Sequence, residues 1–394
     1  MTVLPIRGLS IARSRVTVPR LDWVLFGAAG LILGIGTLLV WSATSSNEIL
    51  THGDSTAYLH KHLVNIMIGL VLAAAVMATD HRWVRIVTPL VYVGSVIGLL
   101  LVLVMGTTIN GSRSWLMLGG LSIQPAEFAK LAVVIGMAMI IAERVENSRQ
   151  RRVGAVDVAL MGVIAGIPAL LIILQPDLGT MLVLTATVFG VLAVAGVPRR
   201  WLVSLFVVGS AVATMAIMAG VLKQYQINRF MAFTDPALDP RGAGYNTTQA
   251  RIAIGNGGLF GQGLFDGSQT RSRFVPEQHT DFIFTVAGEE LGLIGAGVLI
   301  LLFAVLLWRA LHISMHADDM FGRVAAAGIA CWFAFQTFQN IGMCLGIMPV
   351  TGVPLPLVSY GGSSMFASMM AVGLLQNIAM RGSMVSRAVR PRSR

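Results

Sequence analysis

The sequence predicts an all-α, polytopic membrane protein of about ten transmembrane helices, with one large extracellular loop between the seventh and eighth. Hydrophobic residues fill 55% of the 394 positions and charged residues only 12%, about half the charged share of a typical soluble domain. A chain this apolar cannot clothe itself in a polar surface, so its solvent is lipid. Its apolar runs reach the ~20 residues needed to cross a bilayer. Arginines gather at alternate ends of those runs, the pattern that sets orientation in membrane proteins.

The spans are read at 22–43, 62–79, 86–106, 128–145, 156–175, 179–198, 201–222, 282–311, 322–345 and 363–381. The first follows a basic arm, 1–21, and is full spanning length, so it reads as a membrane helix rather than a cleaved signal. Arg7 to Arg20, Arg82, Arg85, Arg144 to Arg152, Arg199, Arg200, Arg309, Arg323 and the tail arginines after Arg381 fall on one side. The other side holds Lys61, Arg113 and Lys130, apart from the long 223–281 segment. The first set is therefore cytoplasmic, and an even number of spans puts both termini there. Residues 22–381 form the membrane domain and 382–394 a basic cytoplasmic tail.

The net charge of +10 belongs to these topological arginines, and no nucleic-acid module accompanies it. Cys331 and Cys344, on one helix, would stand roughly 20 Å apart along its axis, which excludes a disulfide.

Four polar clusters fall on the outward side. In Pro276-Glu277-Gln278-His279-Thr280-Asp281, Asp281 leads into an apolar helix. It is either an N-cap or a general base at headgroup level. Glu289 and Glu290, two turns deeper in the same expected helix, need partners at that depth and read as structural. Glu127 and Lys130 share a helix face, with Arg113 just before them; they form a surface pair or a pocket for an anionic headgroup. Asp177 sits in the turn Gln175-Pro176-Asp177-Leu178-Gly179-Thr180, where turn chemistry accounts for most of it. The stretch Gly352 to Ser364, with Ser359 and Tyr360, is too rich in Pro and Gly for a regular span and reads as a re-entrant or surface loop. Residues 244–258 predict a short amphipathic helix ending in glycines. Arg229, Arg251, Arg271 and Arg273 keep positive charge in the outer loop, which suits an anionic ligand such as a lipid diphosphate or simple solubility. The expected pocket brings Lys130 and Arg113 to the cavity of Asp281, with Arg229 or Arg251 contributing.

These motifs resemble those of the SEDS family (shape, elongation, division and sporulation), over almost the whole chain from Trp23 to about Arg381. Met348 to Pro356 and Leu264 to Thr270 are more similar to its elongation branch than to its division branch. The resemblance implies a peptidoglycan polymerase in the bacterial plasma membrane. Lipid II, an undecaprenyl-diphosphate disaccharide-pentapeptide, and the nascent glycan strand would be its substrates. Asp281 would be the essential aspartate, with Arg113, Glu127, Lys130, Asp177, Arg229, Arg251, Glu277, His279, Thr280, Ser359 and Tyr360 as substrate-binding candidates. A class B penicillin-binding protein is the implied partner, with span 322–345 and its Phe333, Phe335, Phe338, Gln336 and Gln339 as a candidate docking surface. No nucleotide is implied. The sequence has no metal-ligand spacing, and a divalent cation (Mg or Mn) on the diphosphate is left open. A lipid flippase or a non-catalytic scaffold are the rival readings; glycan made from lipid II by purified protein separates them.

Overall fold

The computed structural model describes residues 21–46, 51, 53–109, 112–118, 121–147, 153–220, 224–240 and 242–388. Most of the basic arm and the end of the tail lie outside the described residues. The long helices are α1 (Trp23–Ser45), α2 (Ala57–Ala78), α3 (His81–Met105), α4 (Pro125–Asn147), α5 (Ala155–Leu174), α6 (Leu178–Val194) and α7 (Arg199–Met218). Four short helices follow: α8 (Gln224–Thr234), α9 (Ala243–Asn256), α10 (Ser268–Ser272) and α11 (Ile283–Glu290). The chain then returns through α12 (Gly292–His316), α13 (Met320–Leu345) and α14 (Gly362–Ala388). Among the described residues, seven helices are long and apolar enough to cross a membrane: α1 to α5, α12 and α14. Helix α6 is apolar but shorter, and α7 and α13 complete the expected set.

Three of the helices that begin at the arginine-rich end start on aspartates. Asp22 accepts a hydrogen bond from Leu25 N (3.0 Å), Asp80 from Arg82 N (3.1 Å) and Asp319 from Gly322 N (3.1 Å). Each satisfies an amide the first helical turn leaves unpaired. Asp22 and Asp80 are tied further to Arg309 and Arg381.

Side-chain distribution is that of a lipid-solvated bundle. On α2, Leu63, Val64, Met67 and Val71 point outward while Asn65, Gly69 and Ala73 face α14 and His62 packs toward Tyr360. Small residues let the centre close up. Ala325, Ala326 and Gly328 of α13 are buried, and a Cβ on Gly328 would lie 2.7 Å from Val134 of α4 and 2.8 Å from Val191 of α6.

Three features depart from the sequence reading. First, the segment around Arg113 is an antiparallel sheet, β1 (Thr107–Ile109), β2 (Ser112–Leu118) and β3 (Leu121–Ile123), in the order β1-β2-β3. Leu116 pairs with Ile123 and Ile109 with Ser112.

Second, the eighth span is broken. Gly292 has φ +67°, and the glycine-rich segment after α9 fits into the break, with Leu293 N donating to Gly258 O (2.9 Å) and Ile294 N to Leu259 O (3.2 Å). Glu289 and Glu290 therefore end α11 rather than lying inside a span. Glu289 accepts from Gln269 N (2.7 Å), Thr270 N (2.9 Å) and Thr270 Oγ1 (2.7 Å), and Glu290 from Ser42 Oγ (2.6 Å). Both are structural anchors of the segment between α7 and α11.

Third, Phe333, Gln336 and Gln339 are wholly buried. That face of α13 is core and offers no docking surface; Phe338, 51% exposed, is the outward aromatic.

Candidate active site

Residues of the 277–281, Asp177 and 352–364 clusters meet at the hairpin end of the bundle, around a cavity of about 210 Å³. It is lined by β2 (Ser112, Ser114, Trp115), Gln124, Asp177, Arg229 of α8, the 277–281 turn (Glu277, Thr280, Asp281), Gly352, Tyr360 and the start of α14 (Ser363, Ser364).

The turn is built on one carbonyl. Glu277 O accepts from the amides of Thr280 (3.2 Å), Asp281 (3.1 Å) and Phe282 (3.2 Å). Glu277 itself has φ +50°, a left-handed conformation that costs a non-glycine residue about 1–3 kcal/mol and persists only where its surroundings enforce it. They do so by joining the turn to the 352–361 loop. Ser359 Oγ donates to Thr280 O (2.5 Å) and accepts from Leu355 N (2.8 Å), and Tyr360 N donates to His279 O (3.0 Å). Asn340 of α13 bridges the two, donating to Asp281 O (2.7 Å) and Val353 O (2.8 Å). Asn340→Leu should leave both carbonyls without their donor, at about 1–3 kcal/mol each. The check is a lowered thermal unfolding midpoint in detergent with unchanged helix content.

Asp281 is not an N-cap. Among the described residues nothing donates to its carboxylate, which lies against Gly352; a Cβ there would stand 3.1 Å from Oδ2. Gly352 also has φ +70°, so position 352 requires glycine twice over. Burial pushes the Asp281 carboxyl up to about 7, helped by the charges of Glu277 and Asp177 and opposed by Arg229. Asp177 is differently placed. It caps α6, taking Thr180 N (2.9 Å), Thr180 Oγ1 (2.9 Å) and Gln124 Nε2 (3.1 Å). Burial raises its carboxyl too, against the bonds from Thr180. Among the described residues the cavity thus offers the Asp281 carboxylate with no hydrogen bond, Glu277 with one long bond from Thr280 Oγ1 (3.4 Å), and Asp177 with three. A carboxyl near 7 can accept a proton at neutral pH, which suits a general base.

The expected cationic pocket does not form. Of the four cations proposed for it, Arg229 alone lines the cavity. Arg113 turns away and donates to Gly106 O (2.8 Å) and Val104 O (2.7 Å), closing the end of α3. Arg251 does the same for α13 through Leu345 O (3.1 Å) and Gly346 O (3.0 Å). Helix C-termini favour cations in this way. Lys130 is 0% exposed, bonded to Glu127 Oε1 (2.8 Å) and Gln336 Oε1 (2.7 Å), with its ammonium 5.0 Å from the Trp332 ring centroid. Lys130 and Glu127 lie in the protein interior and are absent from the cavity lining. His279 and Ser359 also stand behind the wall. His279 packs on Tyr58 (5.5 Å) and Tyr360 (5.8 Å), and burial pulls its imidazole down against the pull of Glu277.

Sequence reasoning missed the roles of Ser112, Ser114 and Gln124 as wall and of Asn340 as brace. Asn110-Gly111 and Gly119-Gly120 are hairpin signals that flank β2. An asparagine in an apolar helix is itself a flag for a committed partner.

A family model described as a cell cycle protein model (FtsW, RodA, SpoVE) matches residues 22–384. Stage V sporulation protein E of Bacillus subtilis is 38% identical over 89% of this chain and 94% of its own. Peptidoglycan glycosyltransferase MrdB of Escherichia coli is 37% identical over 91% and 93%. A solved chain from work on the structural coordination of polymerization and crosslinking by a peptidoglycan synthase complex superposes with a TM-score of 0.76 at 32% identity, covering 92% of this chain and 98% of that one. The rod shape determining protein RodA of Thermus thermophilus gives 0.66 at 31% identity, covering 91% and 96%. The chain is thus a multi-pass membrane protein that belongs to the FtsW/RodA/SpoVE (SEDS) family.

Proposed function

We propose that this protein polymerises peptidoglycan glycan strands from lipid II during cell elongation, with Asp281 as general base. The observation that carries the reading is a half-buried carboxylate that accepts no hydrogen bond among the described residues, in a cavity at one end of a membrane bundle whose relatives are named peptidoglycan glycosyltransferases. The motifs Met348 to Pro356 and Leu264 to Thr270 support the elongation branch.

In the proposed reaction the acceptor 4-hydroxyl oxygen attacks the anomeric carbon of the donor. The new C–O bond forms as the bond to the diphosphate oxygen breaks, and the hydroxyl proton passes to Asp281. The donor sugar is α-linked and the product β-1,4, so the attack inverts. Arg229 faces the departing diphosphate, where a cation is worth most as charge develops. Tyr360 and Trp115 offer aromatic faces to the sugar rings.

Among the described residues no three His, Cys, Asp or Glu side chains converge as a metal cage. Asp281 and Glu277 are the lining carboxylates with capacity to spare, fewer than the six oxygens a Mg2+ ion takes. Asp281 and Glu277 are the residues that would hold a divalent cation, which would supply a Lewis acid for the leaving diphosphate. A class B penicillin-binding protein is the proposed partner. The cavity faces the outside of the cell and both termini face the cytoplasm.

Two measurements test the reading. Purified protein with its partner and lipid II should yield glycan polymer, and loss on adding a chelator would support the cation. Transport of lipid II without polymer would replace an enzyme with a flippase. Ser268→Cys in intact cells should react with a membrane-impermeant thiol reagent, and protection from it would invert the topology.

A further inference from the structure

The segment between α9 and α10 carries two apolar side chains that the site does not use. Phe260 is 80% exposed and Leu259 60%. Exposed single apolar residues are ordinary, but these two cannot retreat. Their backbone is docked on both sides. On one side lie the bonds from Leu293 N and Ile294 N already described. On the other, Gln262 N donates to Glu289 O (3.0 Å) and Gly263 N to Glu290 O (3.1 Å), capping the end of α11. Gly258 and Gly261 adopt φ +54° and +83°, which lets the chain reverse tightly and thrust the intervening pair outward.

The bond from Ile294 N to Leu259 O sets the pair beside the first turn of α12. Leu293 and Ile294, 66% and 53% exposed, open the outward face of a helix that crosses the membrane. Leu259 and Phe260 extend that lipid-facing surface beyond the helix end, to the depth where headgroups meet acyl chains.

We propose that Leu259 and Phe260 form an interfacial anchor that inserts into the leaflet on the Asp281 side of the membrane. Its ligand is bilayer lipid. The apolar surface leaves water on insertion, which is the source of the attraction. Because the anchored segment caps α11, the anchor registers the helix following Asp281 against the membrane surface, the level at which any lipid-linked molecule presents its headgroup. The proposal rests on α12 spanning the bilayer and not on the reaction proposed above.

The test uses the full chain in vesicles of phosphatidylethanolamine and phosphatidylglycerol, with Cys331→Ser to remove the accessible native thiol. Nitroxide labels are placed singly at Leu259→Cys and Phe260→Cys, with Asp266→Cys as a water-exposed reference and Leu301→Cys as a lipid-exposed one. Collisions with oxygen and with a water-soluble nickel chelate are then compared. At 259 and 260 the oxygen-to-chelate ratio should invert relative to 266 and approach that at 301. A ratio equal to that at 266 would overturn the proposal, since the loop would then stand in water. Low collision with both reagents would overturn it as well, because protein, a second copy or a partner helix would then cover the pair. Labelled protein that fails to reconstitute at one position is replaced by the other.

Discussion

Asp281→Asn should fold and bind lipid II, and its polymerisation rate should fall by about 10²–10⁴-fold, the usual contribution of a positioned base. Nothing among the described residues donates to the Asp281 carboxylate, so the amide breaks no bond of the fold. Wild-type activity should climb with pH through about 7, because burial, Glu277 and Asp177 hold the carboxyl protonated below that value; the Asn variant should show no such limb. Stability should move the other way. A carboxyl raised above its unfolded value of about 3.9 binds its proton more tightly in the folded chain, so wild-type stability falls as pH rises from about 4 through about 7. The variant escapes that loss and should melt higher than wild type at pH 8, with the difference vanishing at pH 4. Near wild-type polymerisation by Asp281→Asn would remove Asp281 as the base.

Lys130→Ala should destabilise the chain by about 3–5 kcal/mol, the range for removing one partner of a buried ion pair. Lys130 and Glu127 are 0% and 1% exposed; without the ammonium, the Glu127 carboxylate loses its donor in the centre of the bundle, while Gln336 Oε1 keeps the bond from Trp332 Nε1 (2.6 Å). Lys130→Met combined with Glu127→Gln removes both charges and keeps the volume, and should recover most of the unfolding temperature. A loss of activity that the double variant does not rescue, in a fully stable protein, would instead give the pair a direct part in the chemistry. Thermal unfolding of the single and double variants, read alongside polymerisation, separates the two outcomes.

The helices were legible because lipid imposes a long apolar run that few other constraints imitate. The short helix at 243–256 was legible from its glycine end, and the irregular 352–361 loop from its prolines and glycines. The break at Gly292 was hidden, since Leu291 to Leu302 continues the apolar run without interruption and only the docking of Gly258 and Leu259 from outside opens it. The site was legible as motifs but not as a wall. Arg113, Arg229 and Arg251 look alike in sequence. Which of them faces the cavity depends on where a carbonyl end lies, and for Arg251 that end, Leu345 and Gly346, is more than ninety residues away. Lys130 read as part of a surface pair or of a headgroup pocket because its partner Gln336 belongs to another helix.

The turn that carries Asp281 and the loop from Leu355 to Tyr360 are stitched together by Ser359, Tyr360 and Asn340, although 79 residues separate Ser359 from Thr280. They behave as one inherited part. A substitution in either half is judged by the other, so effects across the seam should combine epistatically rather than add. Grafting one half from a relative would pair mismatched surfaces, whereas exchanging both halves together with position 340 keeps the part intact. Evolution can therefore retune this site only in linked steps, and a drug that forces a change on one side of the seam selects for compensation on the other.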